Sequence, residues 1–303
     1  MTDSLRLRLP ATSANLGPGF DAMALALSFY LEIDATPADA FSLSVIGRNA
    51  DVCSSLENNL LLDTYRGVLD RNNIHVQPLA IKMHNQIPLG MGCGSSAAVR
   101  LAGVGLASHF GKLDWDRERV LTEASLLEGH PDNTAACWLG GLAVASCHDG
   151  HVYAASIKPR ASWPVLLAMP DQPLATTAAR AVLPACYDRS DAVANIQGAA
   201  LLTAAFSLGR GDLLRVAMQD RIHQPFRSSI CPLLPLLLPL AGRDGVLGVA
   251  LSGAGPAVLL LVESSEAIAR VRESVHRQIG GSLGVELLEC GIESDSAACR
   301  WPK

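Results

Sequence analysis

No Cys-x-x-Cys pair occurs in the chain, although it holds eight cysteines: Cys53, Cys93, Cys137, Cys147, Cys186, Cys231, Cys290 and Cys299. Their scatter argues against both a zinc ribbon and a disulfide framework, and they read as small buried apolar residues. Runs of lysine or arginine are also missing, and the formal net charge is -5. Neutralising nucleic-acid phosphates takes a clustered basic footprint, so nucleic acid is not an expected partner. The composition is 49% hydrophobic, yet the longest apolar stretches are broken, one by Pro232, Pro235 and Pro239, another by Gly253, Gly255 and Pro256. Neither reads as a membrane span. Met1 to Ser4 lead into no basic region, apolar block or small-residue cleavage site, so the expected location is cytoplasmic. A small-molecule ligand fits these absences best.

What is present suits a two-domain α+β protein. At 303 residues the chain can bury a large core, and usual domain sizes suggest two units, divided softly near residue 160 into 1–160 and 161–303. Leu5, Leu7 and Leu9 alternate with Arg6 and Arg8 as a half-buried strand that Pro10 is expected to close, followed by a loop from Ala11 to Asp21. Strand patterns return at 27–33, 41–46, 79–83, 142–146, 165–169, 246–251 and 257–262. Helical spacing marks 58–69, 97–110, 117–127, 192–208, 212–218 and 266–279. The stretch 148–160 reads as turn-rich, and Cys147 at its edge with His148 and His151 inside it, with no fourth ligand in sight, are given no metal role.

The strongest chemical signal is the segment from Pro88 to Ala98, Pro-Leu-Gly-Met-Gly-Cys-Gly-Ser-Ser-Ala-Ala, set between a strand pattern and a helix pattern. Glycines let backbone N–H groups approach an anion, a helix N-terminus adds roughly half a positive charge, and a serine hydroxyl can reach phosphate or a metal ion. A Walker A loop would need a Gly-Lys-Ser/Thr step that is absent, and the glycine spacing is wrong for a dinucleotide fingerprint. Taken alone, the segment is also compatible with a plain turn whose Ser95 caps a helix.

Three ordered segments remove that ambiguity by resemblance. Pro88 to Ala98 is similar to the second signature of the GHMP small-molecule kinases, with Cys93 where leucine is usual. Pro10 to Asp21 (Pro-Ala-Thr-Ser-Ala-Asn-Leu-Gly-Pro-Gly-Phe-Asp) resembles the first, and Leu251 to Ala257 the third. Within that family, Asn15 to Asp21 and Glu128-Gly129-His130-Pro131-Asp132-Asn133 are most similar to homoserine kinases. So are Thr176 to Arg180 with Leu183-Pro184, and Asp220 to Arg227.

The resemblance implies a two-domain GHMP kinase fold, with an N-terminal ribosomal protein S5 domain 2-like part and a C-terminal ferredoxin-like α/β sandwich. It implies ATP and Mg2+ as cofactors and L-homoserine as the small-molecule substrate. Pro88, Leu89, Gly90, Met91, Gly92, Cys93, Gly94, Ser95, Ser96, Ala97 and Ala98 become the nucleotide cradle, with Asn59 on the adenosine side. Ser96 and a glutamate become the metal ligands; Glu128 is favoured over Glu123. Asn15, His130, Asn133 and Thr176, with the turn glycine Gly253, line the amino-acid site. Arg180 and Arg227 present planar forks to its carboxylate, and Asp21 faces its ammonium. Phosphoryl transfer needs chiefly alignment and charge neutralisation, so Asp132 either accepts the hydroxyl proton or holds its loop. Two rivals stand beside this reading, another kinase of the family acting on mevalonate or a polyol phosphate, and a nucleotide sensor that kept the fold. Homodimers are common in the family, and the sequence leaves the oligomeric state open.

Overall fold

The computed structural model describes residues 4–280 and 284–297, so the reading of Cys299 lies outside the described residues. In chain order the strands are β1 (Leu5–Asn15), β2 (Gly19–Pro37), β3 (Ser42–Gly47), β4 (Leu79–Asn85), β5 (Leu142–His148), β6 (His151–Ile157), β7 (Val165–Pro170), β8 (Val246–Leu251), β9 (Val258–Val262) and β10 (Val285–Cys290). The α-helices are α1 (Ala50–Cys53), α2 (Leu60–Arg71), α3 (Ser95–Phe110), α4 (Arg117–Glu128), α5 (Asp132–Leu139), α6 (Thr176–Ala181), α7 (Arg189–Leu208), α8 (Leu214–Ala217), α9 (Gln224–Arg227), α10 (Leu233–Leu237) and α11 (Ile268–Ile279). No helix among the described residues is long and apolar enough to cross a membrane.

The first sheet runs β3-β4-β2-β5-β6, with β1 paired along β2. From Phe29 to Thr36, β2 alternates buried and half-buried side chains, the period-two signature of a strand with one face in the core. Helices α3 and α5 pack on β1 and β2. Small residues let α3 sit deep: Ala97 to Ser108 is buried apart from Val99 and Arg100, and a Cβ on Gly103 would meet the Thr64 side chain at 2.6 Å. A bulkier residue there would push α2 outward.

The second sheet has the order β10-β7-β9-β8, all antiparallel. With helices between β7 and β8 and α11 between β9 and β10, this is the ferredoxin-like arrangement. The chain then returns to the first sheet, where Ile292 bridges Leu27 and Gly141 N–H donates to the Glu293 carbonyl at 2.7 Å.

Several sequence expectations need correction. Pro10 does not close the first strand: β1 continues to Asn15, because a register shift between Pro10 and Ala11 accommodates the missing N–H. The expected loop from Ala11 to Asp21 is therefore a hairpin end, turning at Asn15, Leu16 and Gly17, all with positive φ. The stretch 148–160 holds the strand β6 rather than only turns. Cys147 and Cys186 are exposed, unlike the buried Cys93, Cys137 and Cys231.

Candidate active site

Three glycine turns meet at the junction of the two sheets. Thr12 N–H donates to the Cys93 carbonyl at 3.1 Å, and Gly253 N–H to the Ala14 carbonyl at 3.0 Å. Ser252 Oγ donates to the Gly92 carbonyl at 2.7 Å. At Gly92, φ is +74° and a Cβ would lie 2.0 Å from the Ser252 carbonyl oxygen, so only glycine lets these turns close on each other. Gly94 is equally constrained: a Cβ there would stand 1.9 Å from Thr12 Oγ1. Thr12 and Ser252, which the sequence reading did not single out, are thus the clamps of the cradle.

Between the sheets lies a cleft of about 470 Å3. Its walls include Asn15, Asp21, Asn59, Pro88, Leu89, Gly90, Gly92, Cys93, Gly94, Ser95, Ser96, Glu128, His130, Asp132, Asn133, Thr176, Arg180, Arg227 and Gly253. Met91, Ala97 and Ala98 are not lining residues; both alanines are buried in the core at the start of α3. The lining also contains Val52, Leu60, Met83 and Leu31, an apolar wall that scattered positions in sequence did not announce.

Ser96 donates its hydroxyl to Glu128 Oε1, while Arg100 Nε holds Glu128 Oε2 at 2.7 Å. Glu123 faces elsewhere, paired with Arg119 and Arg71. Arg100 sits four residues beyond Ser96 on the same helix face, and that spacing could have revealed it. A hydroxyl and a carboxylate are oxygen donors suited to a hard cation, so Ser96 and Glu128 fit Mg2+. Asp21, His130 and Asp132 also offer ligand atoms within 4.8 Å of one another. In this structure Asp21 pairs with Arg180 and His130 with Asp132.

Asp132 is buried, and its Oδ1 accepts from His130 Nδ1 at 2.7 Å and from the Asn133 backbone N–H at 2.6 Å. Burial works against a charged His130, but the hydrogen bond and charge of Asp132, with Asp21 and Glu128 behind it, outweigh burial and raise its pKa. Asn133 Oδ1 accepts from Thr12 Oγ1 at 2.6 Å. Asn15 is a brace between turns, donating to the Gly253 carbonyl at 2.8 Å and accepting from Asp21 N–H at 3.0 Å. Asn59 caps α2 through Leu61 and Leu62 N–H and donates to the Cys53 and Ser55 carbonyls, so its amide is fully occupied where a nucleotide contact was expected.

Arg180 and Asp21, expected to face opposite ends of a ligand, pair with each other through two hydrogen bonds. Arg227 differs. It is buried, with Nε donating to the Ala179 carbonyl at 3.1 Å and Nη1 placed between the Gly253 carbonyl at 3.2 Å and His223 Nδ1 at 3.1 Å. Burial first, then the neighbouring Arg180, lowers its pKa, but a guanidinium remains charged at neutral pH. No carboxylate among the described residues forms an ion pair with it.

This geometry has relatives. The model for the GHMP kinases N terminal domain matches residues 59–141, and that for the GHMP kinases C terminal region matches residues 202–280. The chain is 42% identical to a homoserine kinase of Solibacter usitatus over 288 residues, 94% of each chain. It is 38% identical to one of Deinococcus radiodurans over 270 residues, 89% of this chain and 88% of that one. A crystal structure of homoserine kinase from Cytophaga hutchinsonii superposes with a TM-score of 0.82 at 26% identity, covering 97% of this chain and 96% of that one. Mevalonate kinase from L. major shares the fold at a TM-score of 0.74 and 16% identity, over 98% and 99% of the two chains. The chain belongs to the GHMP kinase family, among its homoserine kinases.

Proposed function

We propose that the cleft transfers the γ-phosphoryl group of ATP to the side-chain hydroxyl of L-homoserine, giving O-phospho-L-homoserine for threonine biosynthesis in the cytoplasm. The observation that carries this reading is the pairing, in one cleft, of a three-turn glycine cradle with a buried guanidinium that has no carboxylate partner among the described residues. The cradle suits phosphates, and Arg227 suits a carboxylate.

Backbone N–H groups of the Gly90 to Gly94 turn and the start of α3 bind and orient the phosphates. Ser96 and Glu128 would hold Mg2+, which when bound neutralises phosphate charge. Asn15, Asn133 and the His130–Asp132 pair set the place of the substrate hydroxyl. Because transfer depends on alignment and charge more than on a strong base, Asp132, tied to His130 and Asn133, serves mainly to hold that alignment.

Mevalonate also carries a carboxylate but no ammonium, so Asp21 separates the two substrates. Coupled ADP release from purified protein with Mg-ATP tests the reading. Homoserine is expected to support turnover and mevalonate to support little; turnover with mevalonate, or with neither, overturns it.

A further inference from the structure

His223 belongs to no part of the reaction as described, yet it is fully buried at the centre of the substrate side. Its ring bridges the two halves of the molecule. Nε2 lies 2.9 Å from the Gly17 carbonyl in the β1–β2 turn, and Nδ1 lies 3.1 Å from Arg227 Nη1 on α9. A carbonyl can only accept and a guanidinium can only donate, so these partners fix one form: the neutral imidazole with its proton on Nε2.

The surroundings hold that ring still. Phe20 stacks on it, with ring centroids 5.3 Å apart and planes at 25°. Asp220 fixes the backbone beneath by accepting from the N–H groups of Ile222, His223 and Gln224, while Asn195 Nδ2 donates to it at 2.8 Å.

The two arginines of the cleft are therefore held in opposite ways. Arg180 is held by a carboxylate, which accepts one hydrogen bond each from Nη1 and Nη2 and lies directly against its charge. Arg227 is held by carbonyls and an imidazole, which satisfy Nε and Nη1 without placing a carboxylate in contact with it; the buried Asp220 stands one group further back, its Oδ2 3.5 Å from His223 Nε2. Among the described residues, Nη2 donates to nothing. Its positive charge stays available to the cleft, which Arg227 lines.

We infer that His223 is a positioning residue for substrate recognition, orienting Arg227 as a neutral acceptor so that its guanidinium, which no carboxylate of the described residues contacts, reads the carboxylate of the amino-acid substrate. The inference rests on the homoserine reading above and adds the group that sets the strength of that recognition.

Asparagine and aspartate separate orientation from charge. Both place an acceptor oxygen near the position of Nδ1, and they differ in charge. His223→Asn is expected to keep the KM for homoserine within about threefold of wild type, and His223→Asp to raise it about tenfold or more, with the KM for ATP little changed in both. Homoserine methyl ester, which has no carboxylate, should show no such Asn–Asp difference. Thermal unfolding identifies variants that fail to fold; if His223→Asp does, His223→Leu takes its place, with the same acid-specific loss expected.

Equal KM values for Asn and Asp, or losses of equal size toward acid and ester, overturn the inference. Arg227→Met is measured alongside. If it leaves the preference for acid over ester unchanged, the fault lies with the Arg227 reading itself; if it abolishes the preference and the His223 variants do not touch it, the fault lies with His223.

Discussion

Arg180 donates two hydrogen bonds to Asp21, of 3.0 and 2.7 Å, and so ties the segment after β7 to the first residues of β2. The same segment is held a second time by Leu174 N–H on the Gly90 carbonyl, at 3.0 Å. One wall of the cleft, contributed by the C-terminal half, is thus latched to both the hairpin and the glycine cradle. A zwitterion between Arg180 and Asp21 would meet each charge with its opposite.

Arg180→Met and Asp21→Asn each should raise the KM for homoserine. The side chains are 39% and 34% exposed, so solvent screens the pair. We expect about a tenfold effect each, below the 2 to 5 kcal/mol typical of buried pairs. Steady-state kinetics on both variants check this. Unchanged KM values would make the pair a latch without a role in recognition.

Ser96→Ala and Glu128→Gln should lower kcat by roughly a hundredfold or more while leaving homoserine binding nearly intact, because the proposed role of both is in metal and phosphate alignment. Glu123→Gln should behave as wild type, its carboxylate being held by Arg119 and Arg71. Mg2+ titrations of the three variants provide the measurement. Loss of activity in Glu123→Gln alone would reverse the assignment.

Asp132→Asn should retain measurable turnover, since its carboxylate is engaged by His130 and the Asn133 backbone and transfer relies on positioning. A folded variant with no detectable activity would restore the role of base.

Stability should fall on mild acidification. Burial, with the charge of Arg227 added and Asp220 and Asp21 opposing, lowers the pKa of His223 to about 4, against about 6.5 in an unfolded chain. The unfolded state therefore binds more protons between these values, so the contribution is intact above about pH 6.5 and lost as pH falls toward 4. His223→Asn should flatten this limb in denaturant unfolding followed at several pH values. An identical acid limb in the variant would mean that other groups cause it.

Much of this architecture was legible because glycine carries positional information. At Gly92 and Gly94, close backbone approach leaves no room for a Cβ, so the sequence marks the cradle directly. Strands β7, β8 and β9 stood out as apolar runs. By contrast, β6 reads His-Val-Tyr-Ala-Ala-Ser-Ile with every side chain exposed or half-buried, so no buried face marked it. Pro10 misled because a bulge, which sequence does not announce, keeps β1 going. Partners far apart in sequence were equally hidden: His223 and Gly17 are separated by 206 positions, and the Asp21–Arg180 pair exists only once the two halves meet. Glu128, adjacent to the Gly129 that ends α4, could be favoured by resemblance, but its bond to Arg100 required the fold.

If a carboxylate-bearing amino acid occupies this cleft with Arg227 as its reader, a cycle of two enzymes and two substrates reveals it. Wild type and Arg227→Met are each assayed for kcat/KM with homoserine and with its methyl ester. A buried guanidinium that no carboxylate among the described residues pairs with predicts a loss of about two decades or more for the acid and a far smaller one for the ester, a coupling of roughly 2 kcal/mol or more. Equal losses on both substrates would mean that Arg227 serves the phosphates or the fold rather than the amino acid.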